Sequence, residues 1–262
     1  MNKKDFSYQR KMQTAIWYEK PNIDNPYLAD SCYMHGYDVA ELLAKRSYFE
    51  VLGLLFCGEL LEHDKAVVFE KLAIALMNLG PRHPAVRAAM IAGVSKTKHT
   101  HILPTGLLAG SGGKGGASEV ELAMVFIERS RQKYPVLSDV TVEYILEDTE
   151  TLHGFGDLYG DRDVMANQFI HKIFESIELP DQFPYLSWLY QFNQYSEAKG
   201  VGVLIPGLAA AVFADIGVKP RESVALFQIL ISPGIAAQGM EQSHLPITAM
   251  PFIDDESYVF EK

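Results

Sequence analysis

The stretch that decides the fold of this 262-residue chain is Leu107-Leu-Ala-Gly-Ser-Gly-Gly-Lys-Gly-Gly-Ala-Ser-Glu119, a glycine-dense loop that runs into an apolar helix. Five glycines lie among the seven residues from Gly110 to Gly116, together with a single cation, Lys114. Because glycine has no side chain, such a loop can adopt positive φ and approach a ligand closely. The following helix would direct its unpaired N–H groups toward the loop, which suits an anionic or carbonyl group of a small molecule.

Outward from this loop, apolar residues recur at helical spacing along most of the chain. The first of these segments has Asp38 as a plausible N-cap and Gly58 as its stop. The predicted helices cover residues 39–56, 64–79, 84–94, 117–134, 141–146, 164–177, 184–199, 208–216 and 223–231. Since no run of alternating strands and no internal repeat is visible, the sequence predicts an all-α fold.

The loop also fits a nucleotide-binding fingerprint, and its surroundings argue against that interpretation. Gly110-Ser-Gly-Gly-Lys-Gly115 matches G-x-G-x-x-G, a pattern that is meaningful between a strand and a helix of a βαβ unit. Here the preceding segment is interrupted by Pro104 and Gly106, and no βαβ pattern surrounds it. The phosphate-loop pattern fails as well, because Lys114 is followed by glycine and not by serine or threonine.

Composition restricts the class of protein. Hydrophobic residues make up 48% of the chain and charged residues 21%, which is typical of a soluble globular protein. A net charge of −10 argues against a nucleic-acid partner. We expect no signal peptide and no membrane span, since no apolar stretch reaches about 18 residues. The two cysteines, Cys32 and Cys57, have no metal-ligand spacing, so we expect reduced thiols, no metal and a cytoplasmic protein.

Motifs on both sides of the glycine loop occur in a recognisable order. The N-terminal ones are Gly36-Tyr-Asp-Val-Ala-Glu-Leu42 and Phe49-Glu-Val-Leu-Gly-Leu-Leu-Phe-Cys-Gly-Glu59. The C-terminal ones are Gly154-Phe-Gly-Asp157, Gly207-Leu-Ala-Ala-Ala-Val-Phe-Ala-Asp-Ile-Gly217 and the segment 227–241. Together with the loop, whose family pattern is G-x-x-H-G-G-A-x-E, they resemble the citrate synthase superfamily, especially its short, citryl-CoA-lyase-like members.

The resemblance implies an all-α, two-lobed homodimer with a cleft between the lobes. Residues 1–117 and 207–262 would form the large lobe, and residues 118–206 the small lobe. In this family a carboxylate removes a proton from an acyl-CoA thioester, and one histidine stabilises the developing enol oxygen. A second histidine polarises the carbonyl of a keto acid, and arginines bind its carboxylates. Lyases of the family run the carbon–carbon step in reverse.

Carried over position by position, the catalytic residues of the family are substituted in this chain. The first histidine falls on Lys114 and the second on Asp157. An arginine of the family pattern has only Arg162 as a candidate, and two further arginines have no counterpart. Candidate catalytic residues are therefore Lys114 and Asp157. Candidate substrate-binding residues are Gly113, Gly115, Gly116, His153, Gly154, Phe155, Gly156 and Arg162.

The proton-abstracting carboxylate of the family is missing. Its position falls on Val203 or Pro206, depending on the register, and residues 200–214 contain no ionisable side chain at all. A positioned acid or base contributes about 10²–10⁴-fold to a rate. We therefore do not expect an ordinary citrate synthase.

Two functional hypotheses follow. The first is an enzyme that forms or cleaves a carbon–carbon bond in an acyl-CoA or related carbonyl substrate. Lys114 would stabilise an enolate or form an imine, Asp157 would act as a base, and no covalently bound cofactor is needed. The alternative is a non-catalytic family member, either an acyl-CoA sensor or a partner of an intact homologue. The expected small-molecule ligand is an acyl-CoA or a carboxylic or keto acid, bound by a homodimer or by such a heteromer.

Overall fold

The computed structural model describes residues 11–148, 151–157, 160–251 and 253–261. Within the chain, two compact units are distinguished, Met1–Ala66 and Val67–Lys262. The all-α prediction is confirmed, because eleven α-helices and only five short strands form within the described residues. The predicted division into a large and a small lobe stays a prediction.

The first unit begins with a three-stranded antiparallel sheet in the order β1-β2-β3. The strands are β1 (Trp17–Pro21), β2 (Ala29–Met34) and β3 (Tyr37–Asp38), and β2 and β3 are joined by a turn in which His35 and Gly36 both have positive φ. The sequence did not predict this sheet. All five residues of β1 are exposed, so the strand lacks the alternation of apolar and polar residues by which a half-buried strand is recognised.

The helix predicted over residues 39–56 is interrupted. Helix α1 (Val39–Lys45) begins at Asp38, whose carboxylate accepts the N–H groups of the second and third residues after it, as predicted. The chain then becomes extended, and Ser47 starts α2 (Tyr48–Cys57) in a reciprocal capping box with Glu50. The predicted stop is confirmed at Gly58, which adopts a left-handed conformation with φ of 80°. The Ser-x-x-Glu signal at the break lay within the predicted helix.

The second unit is almost entirely helical. Helix α3 (His63–Leu76) leads into it and is followed by α4 (Pro84–Val94), α5 (His99–Ala109), α6 (Ala117–Lys133), α7 (Asp139–Asp148), α8 (Val164–Phe174), α9 (Pro184–Glu197), α10 (Ile205–Asp215) and α11 (Pro220–Ser243). Two short strands, β4 (Phe155–Gly156) and β5 (Gly202–Val203), pair antiparallel. The segment before the glycine loop, which no prediction covered, is α5 and includes Pro104.

The core of this unit is centred on α10. Nine of its eleven residues are buried, and it packs against α6, α9 and α11. Its only ionisable residue, Asp215, is buried and accepts the N–H groups of Tyr185 and Leu186, each at 2.9 Å, at the start of α9. The largest fully buried side chains are Phe69, Phe183, Phe192, Phe213 and Phe227.

Helix α11 is much longer than predicted. By length and composition alone it could cross a membrane, although the sequence shows no uninterrupted apolar run of that length. In the fold it packs against α4, α5 and α6 and buries residues such as Leu226, Phe227 and Ile235. Its internal Pro233 is followed by Gly234, whose N–H donates to the carbonyl of Met77 at 2.8 Å. These contacts are those of a core helix.

Candidate functional site

The glycine loop, defined as residues 110–116, is closed by hydrogen bonds at its base. The N–H of Ala117 donates to the carbonyl of Gly110 at 2.9 Å. The hydroxyl of Ser118 donates to the carbonyl of Ser111 at 2.6 Å. Helix α6 therefore starts directly from a loop whose two ends are fixed to each other.

The glycines of this loop serve different purposes. A Cβ on Gly116 would lie 2.7 Å from the carbonyl oxygen of Gly110, so only glycine fits there. At Gly112 and Gly113 a Cβ would meet nothing within 4 Å, and Lys114 beside them is exposed. The accessible part of the loop is therefore its tip.

A buried carboxylate links the loop to a distant segment. The Glu119 side chain is only 5% exposed. One of its oxygens accepts the N–H of Gly115, and the other accepts the N–H of Gly154 at 3.0 Å. These two glycines belong to motifs about forty residues apart in the sequence, so Glu119 fixes the position of one motif against the other.

The Gly154 segment in turn lies against the start of α10. Gly154 has a φ of 81°, and a Cβ placed on it would come within 2.6 Å of the Cα of Gly207. Its carbonyl accepts the N–H of Leu204 at 2.9 Å. Close backbone contact between these segments thus requires glycine at both positions.

His83 holds the other side of the loop. Its Nδ1 accepts the N–H of Ala85 at 3.2 Å and caps α4, while its Nε2 lies 3.1 Å from the carbonyl oxygen of Gly115. Since a carbonyl only accepts, Nε2 carries the proton and the ring is neutral. Burial lowers the pKa of His83, and the bond to Gly115 opposes this shift only in part. The backbone N–H of Gly115 is therefore held by Glu119 and its carbonyl by His83.

A cavity of about 440 Å³ opens beside this arrangement. Its wall consists of Ala75, Asn78, Leu79, Arg82, His83, Gly115, Asp161, Arg162, Asp163, Val164, Met165, Phe169, Leu204, Ile205 and Pro206. The wall combines apolar side chains with two guanidinium groups and the neutral imidazole. A small-molecule site commonly has this composition.

The N-termini of four helices border this cavity. His83, Asp163 and Leu204 are the N-caps of α4, α8 and α10, and Gly115 immediately precedes Gly116, the N-cap of α6. No side chain caps α10 or α6. Helix N-termini carry partial positive charge, so their convergence favours an anionic ligand.

The two arginines differ in their partners. Arg162 pairs with Glu197, and its aliphatic stem covers Gly202. Arg82 is exposed and makes no hydrogen bond or ion pair within the described part of the chain. A guanidinium presents paired N–H donors that match a carboxylate, so Arg82 is available to a ligand.

The two aspartates of the wall are engaged with the backbone. Asp163 accepts the N–H of Ala166 at 3.0 Å as the cap of α8. Asp161 accepts the N–H of Arg162 at 2.7 Å. Over the described ranges no group of three or more histidine, cysteine, aspartate or glutamate side chains could hold a metal ion.

Of the sequence-predicted site residues, only Gly115 and Arg162 line the cavity. Lys114 and Asp157, both described and both exposed, do not. Phe155 is a core residue, with its ring 4.8 Å from that of Phe192. The remaining five do not line the cavity either: Gly116 and Gly154 are buried, His153 and Gly156 are half-buried, and Gly113 is exposed at the loop tip.

The two candidate positions of the missing carboxylate have different surroundings. Val203 is buried in β5, whereas Pro206 lines the cavity together with Leu204 and Ile205. The cavity wall at the start of α10 therefore has no group that could accept a proton.

Sequence reasoning missed His83, Arg82 and the role of Glu119. His83 directly precedes Pro84, a residue typical of a first helical position, so its place as an N-cap was visible. Glu119 is the third residue of α6, from which a carboxylate reaches back toward the preceding backbone. Arg82 carries no local signal, because its importance depends on the cavity formed by other helices.

Comparison with known proteins identifies the class of fold. No protein-family model matches the chain, and no curated protein matches it. Citryl-CoA lyase from Hydrogenobacter thermophilus superposes with a TM-score of 0.75 at 20% identity, covering 97% of this chain and 95% of that one. ATP citrate lyase from Methanosaeta concilii, in complex with (3S)-citryl-CoA, gives 0.74 at 17% identity, covering 98% of this chain and 43% of that one.

A citrate synthase is similar as well. The enzyme from Thermoplasma acidophilum, in a ternary complex with carboxymethyl coenzyme A and oxaloacetate, superposes with a TM-score of 0.56 at 16% identity, covering 82% of this chain and 57% of that one. The predicted resemblance is thus confirmed at the level of the fold. The chain has the helical fold found in citryl-CoA lyase, ATP citrate lyase and citrate synthase.

Proposed function

We propose that this protein binds a small carboxylic or keto acid, free or as its CoA thioester, in the cavity beside the glycine loop. The observation that carries the proposal is the convergence of Arg82, Arg162 and four helix N-termini on one cavity. Helix N-termini and guanidinium groups each favour a carboxylate.

In this proposal His83 is a positioning residue and does not bind the ligand. Its Nε2–H is directed at the carbonyl of Gly115, and its Nδ1 accepts a backbone N–H, so both nitrogens hold the frame of the site. Positive charge comes instead from the two arginines. The acid would therefore bind between fixed backbone donors and guanidinium groups while the imidazole keeps the loop in place.

Solved structures of this fold contain ligands of the same kind. They hold citryl-CoA, citrate and coenzyme A, or carboxymethyl coenzyme A and oxaloacetate. All of these carry carboxylate or phosphate groups. We therefore choose citrate and oxaloacetate as the first acids to test, and acetyl-CoA as the first thioester.

Carbon–carbon bond formation or cleavage with altered residues is a second candidate function. It is favoured by Lys114, an exposed ammonium at the tip of a loop whose backbone is otherwise fixed. Lys114 would form an imine with a carbonyl substrate or stabilise an enolate, with Asp157 as the base. Against it, the wall at Leu204, Ile205 and Pro206 offers no base.

The non-catalytic alternative accounts for the missing base in this wall. A subunit that binds an acid or a thioester as a sensor needs the cavity and does not need a base. Such a subunit would act as a homodimer or beside an intact homologue. The protein would be cytoplasmic in either case.

Calorimetric titration of the purified protein with citrate, oxaloacetate and acetyl-CoA tests the proposal. Replacing Arg82 or Arg162 with glutamine should weaken acid binding about tenfold or more, since a charge-assisted hydrogen bond contributes about 1.5–3 kcal/mol. The matched control is Arg129→Gln, an exposed arginine of α6 that does not line the cavity. No binding at millimolar ligand, or equal losses in Arg129→Gln, would overturn the proposal.

The second candidate has its own test. Incubation with oxaloacetate and borohydride should leave a reduced adduct on Lys114, and Lys114→Ala should abolish it. In a separate assay without borohydride, proton NMR of a mixture of citryl-CoA and protein should show the cleavage products. Binding without adduct or turnover leaves the non-catalytic alternative.

A further inference from the structure

A second cavity, of about 260 Å³, lies between α3 and α8. Its wall consists of Lys71, Ile74, Ala75, Phe169, Lys172 and Ile173. Each helix contributes three residues in the same spacing, at positions i, i+3 and i+4, so one face of each helix lines the cavity. None of these residues belongs to a motif of the sequence analysis.

The second cavity adjoins the first. Ala75 and Phe169 line both cavities, so the two cavities share an apolar boundary. Neither side chain has a polar atom. An uncharged, flexible segment of a ligand could lie along this boundary without leaving a buried polar group unpaired.

The charges of the two cavities differ. The first contains two aspartates besides its arginines, whereas the second contains two lysines and no carboxylate. Lys71 is half-buried and, among the described residues, makes no hydrogen bond or ion pair. Lys172 is exposed and pairs with Glu175 at 2.8 Å, outside the cavity. Two cations around an apolar cavity, one of them unpartnered, favour an anionic group.

We infer that the second cavity binds the far anionic group of an elongated ligand whose acid end occupies the first cavity. The inference rests on the proposed function of the first cavity. The ligand would carry a carboxylate or carbonyl between Arg82 and Arg162, an uncharged middle past Ala75 and Phe169, and a phosphate or second carboxylate near the lysines. A short acid would occupy the first cavity alone.

Calorimetry with four probes tests this inference on the full chain. Succinate is the short acid, acetyl-CoA carries phosphates beyond a long neutral segment, S-acetyl-pantetheine has the same segment without phosphate, and azelate is a long dicarboxylate. The double variant Lys71→Gln/Lys172→Gln removes both charges. Its control is Lys133→Gln/Lys219→Gln, which removes two lysines of the same unit that line neither cavity.

The inference expects about tenfold weaker binding of acetyl-CoA or azelate to the Lys71→Gln/Lys172→Gln variant, with succinate and S-acetyl-pantetheine unchanged. If this variant loses affinity for acetyl-CoA alone, the far group is a phosphate. If it loses affinity for azelate alone, the far group is a carboxylate. Equal affinities of the two double variants for both elongated anions would overturn the inference while leaving succinate binding, and thus the proposed function, intact. If neither succinate nor an elongated anion binds the unmodified protein, both proposals fail.

Discussion

The glycine loop and the wall formed by residues 204–206 border the same cavity and are built in opposite ways. The loop is held by part-buried polar contacts, with Glu119 accepting the N–H of Gly115 and His83 donating to its carbonyl. The wall at the start of α10 presents Leu204, Ile205 and Pro206, none of which can move a proton. Under the proposed function, the frame of the site is fixed while the expected base is missing. We therefore predict that ligand binding does not depend on catalysis.

The largest expected effect comes from removing the carboxylate that holds the frame. Glu119→Ala leaves the buried N–H of Gly154 and the part-buried N–H of Gly115 without their acceptor. Each unpaired group costs about 1–3 kcal/mol, so we expect the free energy of unfolding to fall by about 2–6 kcal/mol. Urea denaturation measures this loss. Glu128→Ala, an exposed glutamate of the same helix, is the control and should change stability by less than about 0.5 kcal/mol. Equal losses in the two variants would contradict the role of Glu119.

A methyl group at the contact between Gly154 and Gly207 should have the next largest effect. Gly154→Ala forces an L-residue to a φ of 81° and places its Cβ 2.6 Å from a backbone carbon. We expect a loss of about 1–3 kcal/mol in the free energy of unfolding. Gly113→Ala, where a Cβ meets nothing within 4 Å, should be neutral within about 0.5 kcal/mol. A stable Gly154→Ala variant would show that the two segments do not need this close contact.

His83 should make the stability of the frame depend on pH. Burial lowers its pKa in the folded protein, whereas the unfolded chain binds a proton near the ordinary value of about 6.5. The unfolded state therefore holds more protons just below that pH, and the free energy of unfolding falls as the pH drops, by at most about 1.4 kcal/mol per pH unit. The free energy of unfolding is measured at pH 7.5 and at pH 5, which lie at least about one unit above and below that value. The difference in pH dependence between the wild type and His83→Asn isolates this residue. Identical pH dependences would exclude the assigned neutral role.

Lys114→Ala should have the smallest effect on stability and on acid binding. The side chain is exposed, has no partner among the described residues and does not line the cavity. We expect the free energy of unfolding to change by less than about 0.5 kcal/mol and citrate affinity by less than about twofold. Thermal unfolding and calorimetry measure the two quantities. A large loss of citrate affinity would bring Lys114 into the binding site and weaken the separation of binding from chemistry.

The sequence predicted the helices well where local signals are strong. Asp38, Gly58 and Pro84 mark helix ends that the structure confirms. It failed where a signal was hidden inside a longer apolar pattern, as at Ser47, and where a strand is exposed on both faces, as in β1. Helix α11 was underestimated because Pro233 and the polar residues around it interrupt the apolar run, although their neighbours are buried by other helices.

The candidate site was predicted only in part. Gly115 and Arg162 were identified from motif order, and both line the cavity. Arg82 could not be identified from the sequence, because it lines a cavity that exists only once the N-termini of α4 and α8 are brought together. Lys114 and Asp157 were selected by motif position, which fixes the backbone and does not determine which side chains reach the cavity. Their catalytic roles stay predictions.

We propose that the acid binds in the cavity and not at the loop tip. A crystal structure of the protein grown with citrate distinguishes the two places. We expect citrate within hydrogen-bonding distance of the guanidinium groups of Arg82 and Arg162, with the contact between His83 and Gly115 unchanged. Citrate bound at Lys114 outside the cavity would contradict this proposal. An empty cavity in crystals of a protein that binds citrate in solution would contradict it as well.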